Sequence, residues 1–233
     1  MRAPWRHAGP AAVADEEASA PAADTGWRDA RWCAVDLELT GLDPRRDEII
    51  AIGAVPIDDG RAVLGGAYYS LARPDRAPGR SSVLIHKLRE ADLVGAPALD
   101  RALDGLLAVL AGRRPVFHAA WVEEAFLGRA LHRRGIRLPA GADTEVLGRR
   151  WLAARDEAAP GHITLGGLAT RLGFTAETPH HALGDALTTA QAFIALAALL
   201  EGASPQTVGS LIADPGVATP RRAGGARRLG PVG

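Results

Sequence analysis

The alternation of apolar and polar positions predicts a sheet first and helices afterwards. Trp32–Leu37 is a short apolar run ending in acidic residues, and Glu48–Ile57 is a longer β-branched one; both predict strands. Ala62–Leu71 predicts a third strand, and Asp58-Asp59-Gly60 before it is a hairpin-type turn signal. After Pro97 the period lengthens. Leu99, Leu103, Leu106 and Leu110 recur at helical spacing, and Gly112 supplies a stop. Pro115–His118 predicts a fourth strand. Val122–Arg134 predicts a helix with Glu123 and Glu124 in its first turn and Arg133 and Arg134 in its last, charges that suit the helix dipole. Further helical patterns lie at Glu145–Ala154, Thr164–Leu172 and Leu183–Leu200, the last apolar on most faces and so expected to be buried. Three strands in meander followed by strands alternating with helices predict an α/β domain, a mixed sheet covered by helices.

The pattern fades at both ends. Residues 1–29, rich in Ala, Pro, Asp and Glu, read as a disordered leader. Residues 203–233 read as a tail with Pro205, Pro215, Pro220 and Pro231, and one short helix near Thr207–Ile212. Arg221, Arg222, Arg227 and Arg228 could touch nucleic acid, although a solvated basic tail is the simpler reading. The domain itself is expected at residues 30–202.

Composition narrows the function. Hydrophobic residues make up 47% of 233, enough for a substantial core, while 27 basic and 27 acidic side chains cancel. A neutral chain does not coat nucleic acid by bulk charge, so any phosphate binding must be local. Cys33 is the sole cysteine, which excludes an intrachain disulfide and argues against a Cys-based zinc site. The first 20 residues hold no apolar run of signal-peptide length, and Ala186–Leu200 is short for a membrane span. A soluble cytoplasmic protein without a membrane partner is expected.

Three places carry candidate chemistry. Asp36-Leu37-Glu38 ends the first strand, and side chains two apart on a strand share a face. Adjacent carboxylates repel unless a cation lies between them, so the pair points to a divalent metal, though solvated acidic triplets at strand ends are common. In His118-Ala-Ala-Trp-Val-Glu123 a strand gives way to a helix, and Glu123 stands in the first turn. That placement has an ordinary explanation in the helix dipole, with Glu124 as a competitor; Trp121 reads as a packing residue and His118 as a candidate core histidine. The third place is His180-His181-Ala-Leu-Gly-Asp185. Asp185 falls on an otherwise apolar helix, where a charge is unfavourable unless paired or metal-bound. His180 could take a proton near neutral pH, and His181 reads as structural or substrate-facing.

Together the three places resemble the DnaQ-like exonuclease family in its DEDDh branch, which includes the proofreading subunit of bacterial replicative polymerases. AVDLELTGLDPRRDEIIAIGAV (residues 34–55) is similar to the family's D-x-E-T-T-G-L and following I-x-x-I-G-A-V strand, VFHAAWVEEAFL (116–127) to H-N-x-x-F-D-x-x-F-L, and HHALGDA (180–186) to H-R-A-L-x-D-A. Ala142-Asp143-Thr144 resembles the D-T pair between the last two motifs, and Ile163–Leu168 the helix start upstream of the histidine. The resemblance covers about residues 31–200. It implies a ribonuclease H-like fold with a five-stranded mixed sheet flanked by helices. It also implies two divalent cations, Mg²⁺ or Mn²⁺, held by Asp36, Glu38, Glu123 and Asp185, with Asp36 bridging both and His180 as general base. Leu39, Thr40 and His118 match substrate-facing positions. The implied reaction is 3′→5′ hydrolysis at single-stranded DNA ends, releasing nucleoside monophosphates in proofreading or repair, with a DNA polymerase as candidate partner. Two alternatives stand: an exoribonuclease of oligoribonuclease type, and a weakly active module that binds 3′ ends. The chain departs from the pattern at Glu123 and Ala119, where Asp and Asn are usual, and at Leu39, where the first Thr is usual.

Overall fold

The computed structural model describes residues 20–212. Its strands are β1 (Trp32–Leu39), β2 (Ile49–Asp58), β3 (Arg61–Ala62), β4 (Tyr68–Leu71), β5 (Arg114–Phe117) and β6 (Ala142–Asp143). They form one sheet in the order β3-β2-β1-β5-β6, and β4 also pairs with β2. Because β3 lies beside Ile57–Asp58 and β4 beside Ala51–Ala54, the two occupy one position, and the six segments fill the five positions expected. The single strand expected over Ala62–Leu71 is split by a 3₁₀ turn at Leu64–Gly66, where two glycines interrupt the apolar run. β1–β2 and β2–β4 run antiparallel, whereas β1–β5 and β5–β6 run parallel.

Alternation along β1 sends its side chains into two separate cores. Trp32 and Ala34 join Val55 and Ile57 under the helices Thr144–Ala153, Leu165–Arg171 and Ala182–Glu201. Cys33, Val35 and Leu37 join Ile52 and Ala54 under the helix Leu99–Leu110 and the side chains Phe126, Leu127 and Leu131. With both faces covered, nearly all of β2 is buried, which explains its continuous apolar run. Asp36 and Glu38 follow Ala34 in the period of two, so they face the same side as the helix Ala182–Glu201. By length and composition that helix could cross a membrane, but it lies over β1 and β2 with Ala186, Ala190, Phe193 and Leu196 buried in the core.

Several segments differ from the expected ones. Two short helices, Arg80–His86 and Glu90–Leu93, precede Leu99–Leu110. The helix expected over Val122–Arg134 runs as Trp121–Glu123, a π-helical turn at Glu124–Gly128, and Arg129–Arg133. The folded unit also reaches past both expected edges. Trp27, placed in the leader by its polar surroundings, is 1% exposed and packs edge-on against Phe193 at 6.2 Å. Its carbonyl accepts from Trp32 Nε1 at 2.9 Å. Beside it, Gly26 bridges Thr207, and Val208 N–H donates to the Thr25 carbonyl at 2.9 Å. Val208 and Leu211, in the short helix expected near Thr207–Ile212, are buried in the same core. Residues 1–19 of the leader, and 213–233 of the tail with its four arginines, lie outside the described residues.

Candidate active site

One row across the sheet sets the geometry. Asp36 on β1 pairs with Gly53 on β2, which pairs in turn with Tyr69 on β4. Directly paired residues share a face, and Gly53 leaves a gap in the middle of this one. The backbone of Ala182 enters that gap: a Cβ at Gly53 would overlap the Ala182 carbonyl and the Leu183 nitrogen. The first turn of the helix Ala182–Glu201 therefore rests on bare sheet, which brings Asp185 down beside Asp36 and Glu38. Carboxylate oxygens of Asp36, Glu38 and Asp185 all lie within 4.8 Å of one another.

Glu123 comes to this cluster from the helical turn that follows β5, the strand parallel to β1. It is 4% exposed, whereas its neighbour Glu124 is exposed, so the structure selects Glu123 as the inward carboxylate. The turn before it is tied down by Asp143 on β6, whose carboxylate accepts from Ala119 N at 3.1 Å, Ala120 N at 2.9 Å and Glu145 N at 2.8 Å. Ala119 has a positive φ of 60°, a conformation that asks for such restraint. Glu123 is not one of the three mutually close carboxylates, yet its charge acts on Asp36.

Burial and like charge together set the electrostatics of this cluster. Burial raises the Asp36 carboxyl well above the usual carboxylate range, and the charges of Glu123, Asp185 and Glu38 raise it further. Burial, then the nearby Asp185, pushes Glu38 up to about 7. Burial pushes Glu123 up to about 8, with smaller contributions from Asp143 and Glu124. Asp185 is also raised by burial, although the His180 N–H and the two imidazoles at 180 and 181 pull it back. Glu38 Oε1 and Glu123 Oε2 are buried with no hydrogen-bond partner. Unpartnered buried carboxylate oxygens are unfavourable, and an all-oxygen donor set of this kind fits hard divalent cations.

His180 stands at the rim with its side chain exposed, at a positive φ of 62°, and its N–H donates to Asp185 Oδ2 at 2.8 Å. His181 caps the start of the helix and lays its ring on Tyr69, with centroids 4.7 Å apart and planes 18° from parallel.

The side chains expected to face substrate do other work. Leu39 points to the opposite side of the sheet and packs in the second core. Thr40 Oγ1 donates to Asp47 Oδ1 at 3.2 Å and accepts from Glu48 N at 3.0 Å. His118 uses Nδ1 with Thr144 Oγ1 and Nε2 with the Ile163 carbonyl, each at 2.9 Å, so its ring ties the second motif to the Asp143-Thr144 pair and to the helix start at Ile163. Trp121, in contrast, is 53% exposed and is not the packing residue its type suggested. Tyr69 escaped sequence reasoning because it lies in no motif; only its alternation on β4 could have placed it on the site's face.

Comparison with known proteins bears on the family and the fold. Residues 33–193 match the family described as Exonuclease, of the RNase T type. A DNA polymerase III subunit epsilon-like protein from Rhodobacter capsulatus is 34% identical over 183 residues, which is 77% of this chain and 25% of that protein. The chain thus spans about a quarter of the length of that relative. Among solved structures, Exonuclease X in complex with 5′-overhanging duplex DNA superposes with a TM-score of 0.56 at 23% identity, covering 78% of this chain and 97% of the other. The nuclease domain of 3′hExo, a DEDDh family member bound to rAMP, gives a TM-score of 0.60 at 16% identity over 78% and 98%. These likenesses bear out the ribonuclease H-like fold.

Proposed function

The chain belongs to the RNase T exonuclease family, and from that premise we propose that it is a metal-dependent 3′→5′ exonuclease acting on single-stranded DNA ends. The observation that carries the reading is the convergence of Asp36, Glu38 and Asp185 within 4.8 Å, from the first strand and the last long helix, with His180 beside them. Asp36, Glu38, Glu123 and Asp185 would hold two divalent cations, Mg²⁺ or Mn²⁺. When bound, such ions neutralise the charge of the scissile phosphate and of the oxygens that attack and leave.

The protein's own groups do the rest. The two carboxylates of β1 and the one on the helix would hold the cations against which the phosphate can sit. His180 takes the proton from the attacking water, which its exposed position at the rim allows. The Glu123 side chain, held on a turn clamped by Asp143, closes the site from the side of β5. The product is a nucleoside monophosphate and a chain shorter by one nucleotide.

DNA is preferred over RNA as substrate because the relative spanning most of this chain is epsilon-like, and a DNA polymerase is the corresponding partner. The ribonucleotide bound in the structural neighbour supports the second reading, an exoribonuclease. Incubation with Mg²⁺ or Mn²⁺ and 3′-labelled single-stranded DNA or RNA separates them. DNA shortening that is lost in Asp36→Ala and His180→Ala is the expected result; equal product from wild type and both variants would overturn the mechanism.

A further inference from the structure

We infer that Tyr69 is a positioning residue for His180, acting through the ring of His181; the inference rests on His180 serving as the base. His180 sits at φ 62°, a region that few side-chain-bearing residues occupy and that neighbouring contacts help to hold. Two tethers flank it. One is the N–H bond to Asp185 Oδ2, which ties it forward into the helix. The other is the stack of His181 on Tyr69, at 4.7 Å and 18°, which ties the next residue to β4.

The sheet row explains why the second tether reaches the site. Asp36, Gly53 and Tyr69 are paired in sequence across β1, β2 and β4. The empty middle position admits the Ala182 backbone, so residue 181 necessarily falls over the third member of the row, Tyr69. His181 makes no side-chain capping bond to its own helix, which leaves its ring free for the stack. Tyr69 is 36% exposed, so its ring contributes through this contact and not through membership of either core. Its phenol is raised by burial and then by the Glu38 charge, as expected for a ring beside the carboxylate cluster. The face of an aromatic ring at this position, and not its hydroxyl, holds the loop carrying the base at a fixed distance from the carboxylates.

The test compares full-length Tyr69→Phe and Tyr69→Leu, using 3′-labelled single-stranded DNA with Mn²⁺ and, separately, amide hydrogen exchange of residues 178–182. Tyr69→Leu is expected to lower kcat by ~10- to 100-fold, the range that small misplacement of a reacting group produces, with KM nearly unchanged. The same variant should speed exchange of the His180 amide, while Tyr69→Phe keeps both properties of the wild type. Adding Tyr69→Leu to His181→Ala should cause no further loss, because the two rings act as one contact. Wild-type kcat and exchange in Tyr69→Leu would overturn the inference, as would a loss in Tyr69→Phe equal to that in Tyr69→Leu. Full activity of His180→Ala would instead remove the base reading, and the exchange comparison would still decide whether the stack holds the loop.

Discussion

Asp185 accepts the backbone N–H of His180 through Oδ2 at 2.8 Å, so one carboxylate both faces the acidic cluster and fixes the loop that carries the base. The two duties separate by substitution. Asp185→Asn keeps an acceptor oxygen and should preserve thermal stability while removing the charge needed for cations. Asp185→Ala should lose both. Against these, His180→Ala should lower kcat by ~10²- to 10⁴-fold, the usual weight of a general base, with little change in melting temperature. Turnover of Asp185→Asn near the wild-type value would show that its charge is dispensable.

The raised carboxyls make metal-free stability depend on pH. Glu38 and Glu123 sit at about 7 and about 8 in the folded protein, above the ordinary values of 4.5, so the folded state binds more protons than the unfolded one between those limits. Stability contributed by these groups is full below about 4.5 and is lost as pH rises through about 7 to 8. In chelator, the melting temperature should therefore fall from pH 5 to pH 8 as these groups ionise. Mg²⁺ or Mn²⁺ should raise it most at the alkaline end, and Asp36→Asn should flatten the slope. A metal-free protein most stable at pH 8 would contradict the assignment of a charge-strained cluster.

Glu123 is longer by one methylene than the residue usual at its position, and the helix that bears it passes at once into the π-helical turn Glu124–Gly128. If that turn sets the backbone for the longer side chain, restoring the usual residue should do harm. Glu123→Asp is expected to lower kcat/KM by ~10- to 100-fold through withdrawal of the carboxylate. The wild type should work better with Mn²⁺ than with Mg²⁺, because Mg²⁺ demands the stricter octahedral geometry. Comparable turnover with both ions and an unimpaired Glu123→Asp would count against this account.

Trp27 contributes to the core from beyond the edge that hydrophobic periodicity defines. Trp27→Ala should destabilise the fold by ~3–5 kcal/mol, as truncation of a buried aromatic does, read as a lower urea midpoint. A change below ~1 kcal/mol would mean that the segment contributes little to stability.

The frame of the molecule was legible because its signals are long. The ten residues of β2 form one unbroken apolar run and the twenty of the helix Ala182–Glu201 are apolar on most faces, lengths that mark a buried strand and a buried helix without any alternation. Asp36, Glu38 and Asp185 lie together, with His180 bonded to Asp185 and the Glu123 charge acting on Asp36. Short elements left no period to read. β6 has two residues, and the helix Arg80–His86 exposes Leu84 and Ile85, so neither produces a clean stripe. Trp27 is a lone aromatic in a polar stretch, and no pattern announces one buried side chain. His118 reads from sequence either as a core histidine or as a substrate-facing one, and its two ring hydrogen bonds favour the first, because spacing reports where a ring stands and not which of its nitrogens are engaged.

The bridge between Gly26 and Thr207 brings the first and last parts of the described residues side by side. Such a unit can be spliced into a surface loop of a host protein without stretching it, since both junctions exit at one spot. The same nuclease core can therefore be carried as a module within a far longer chain.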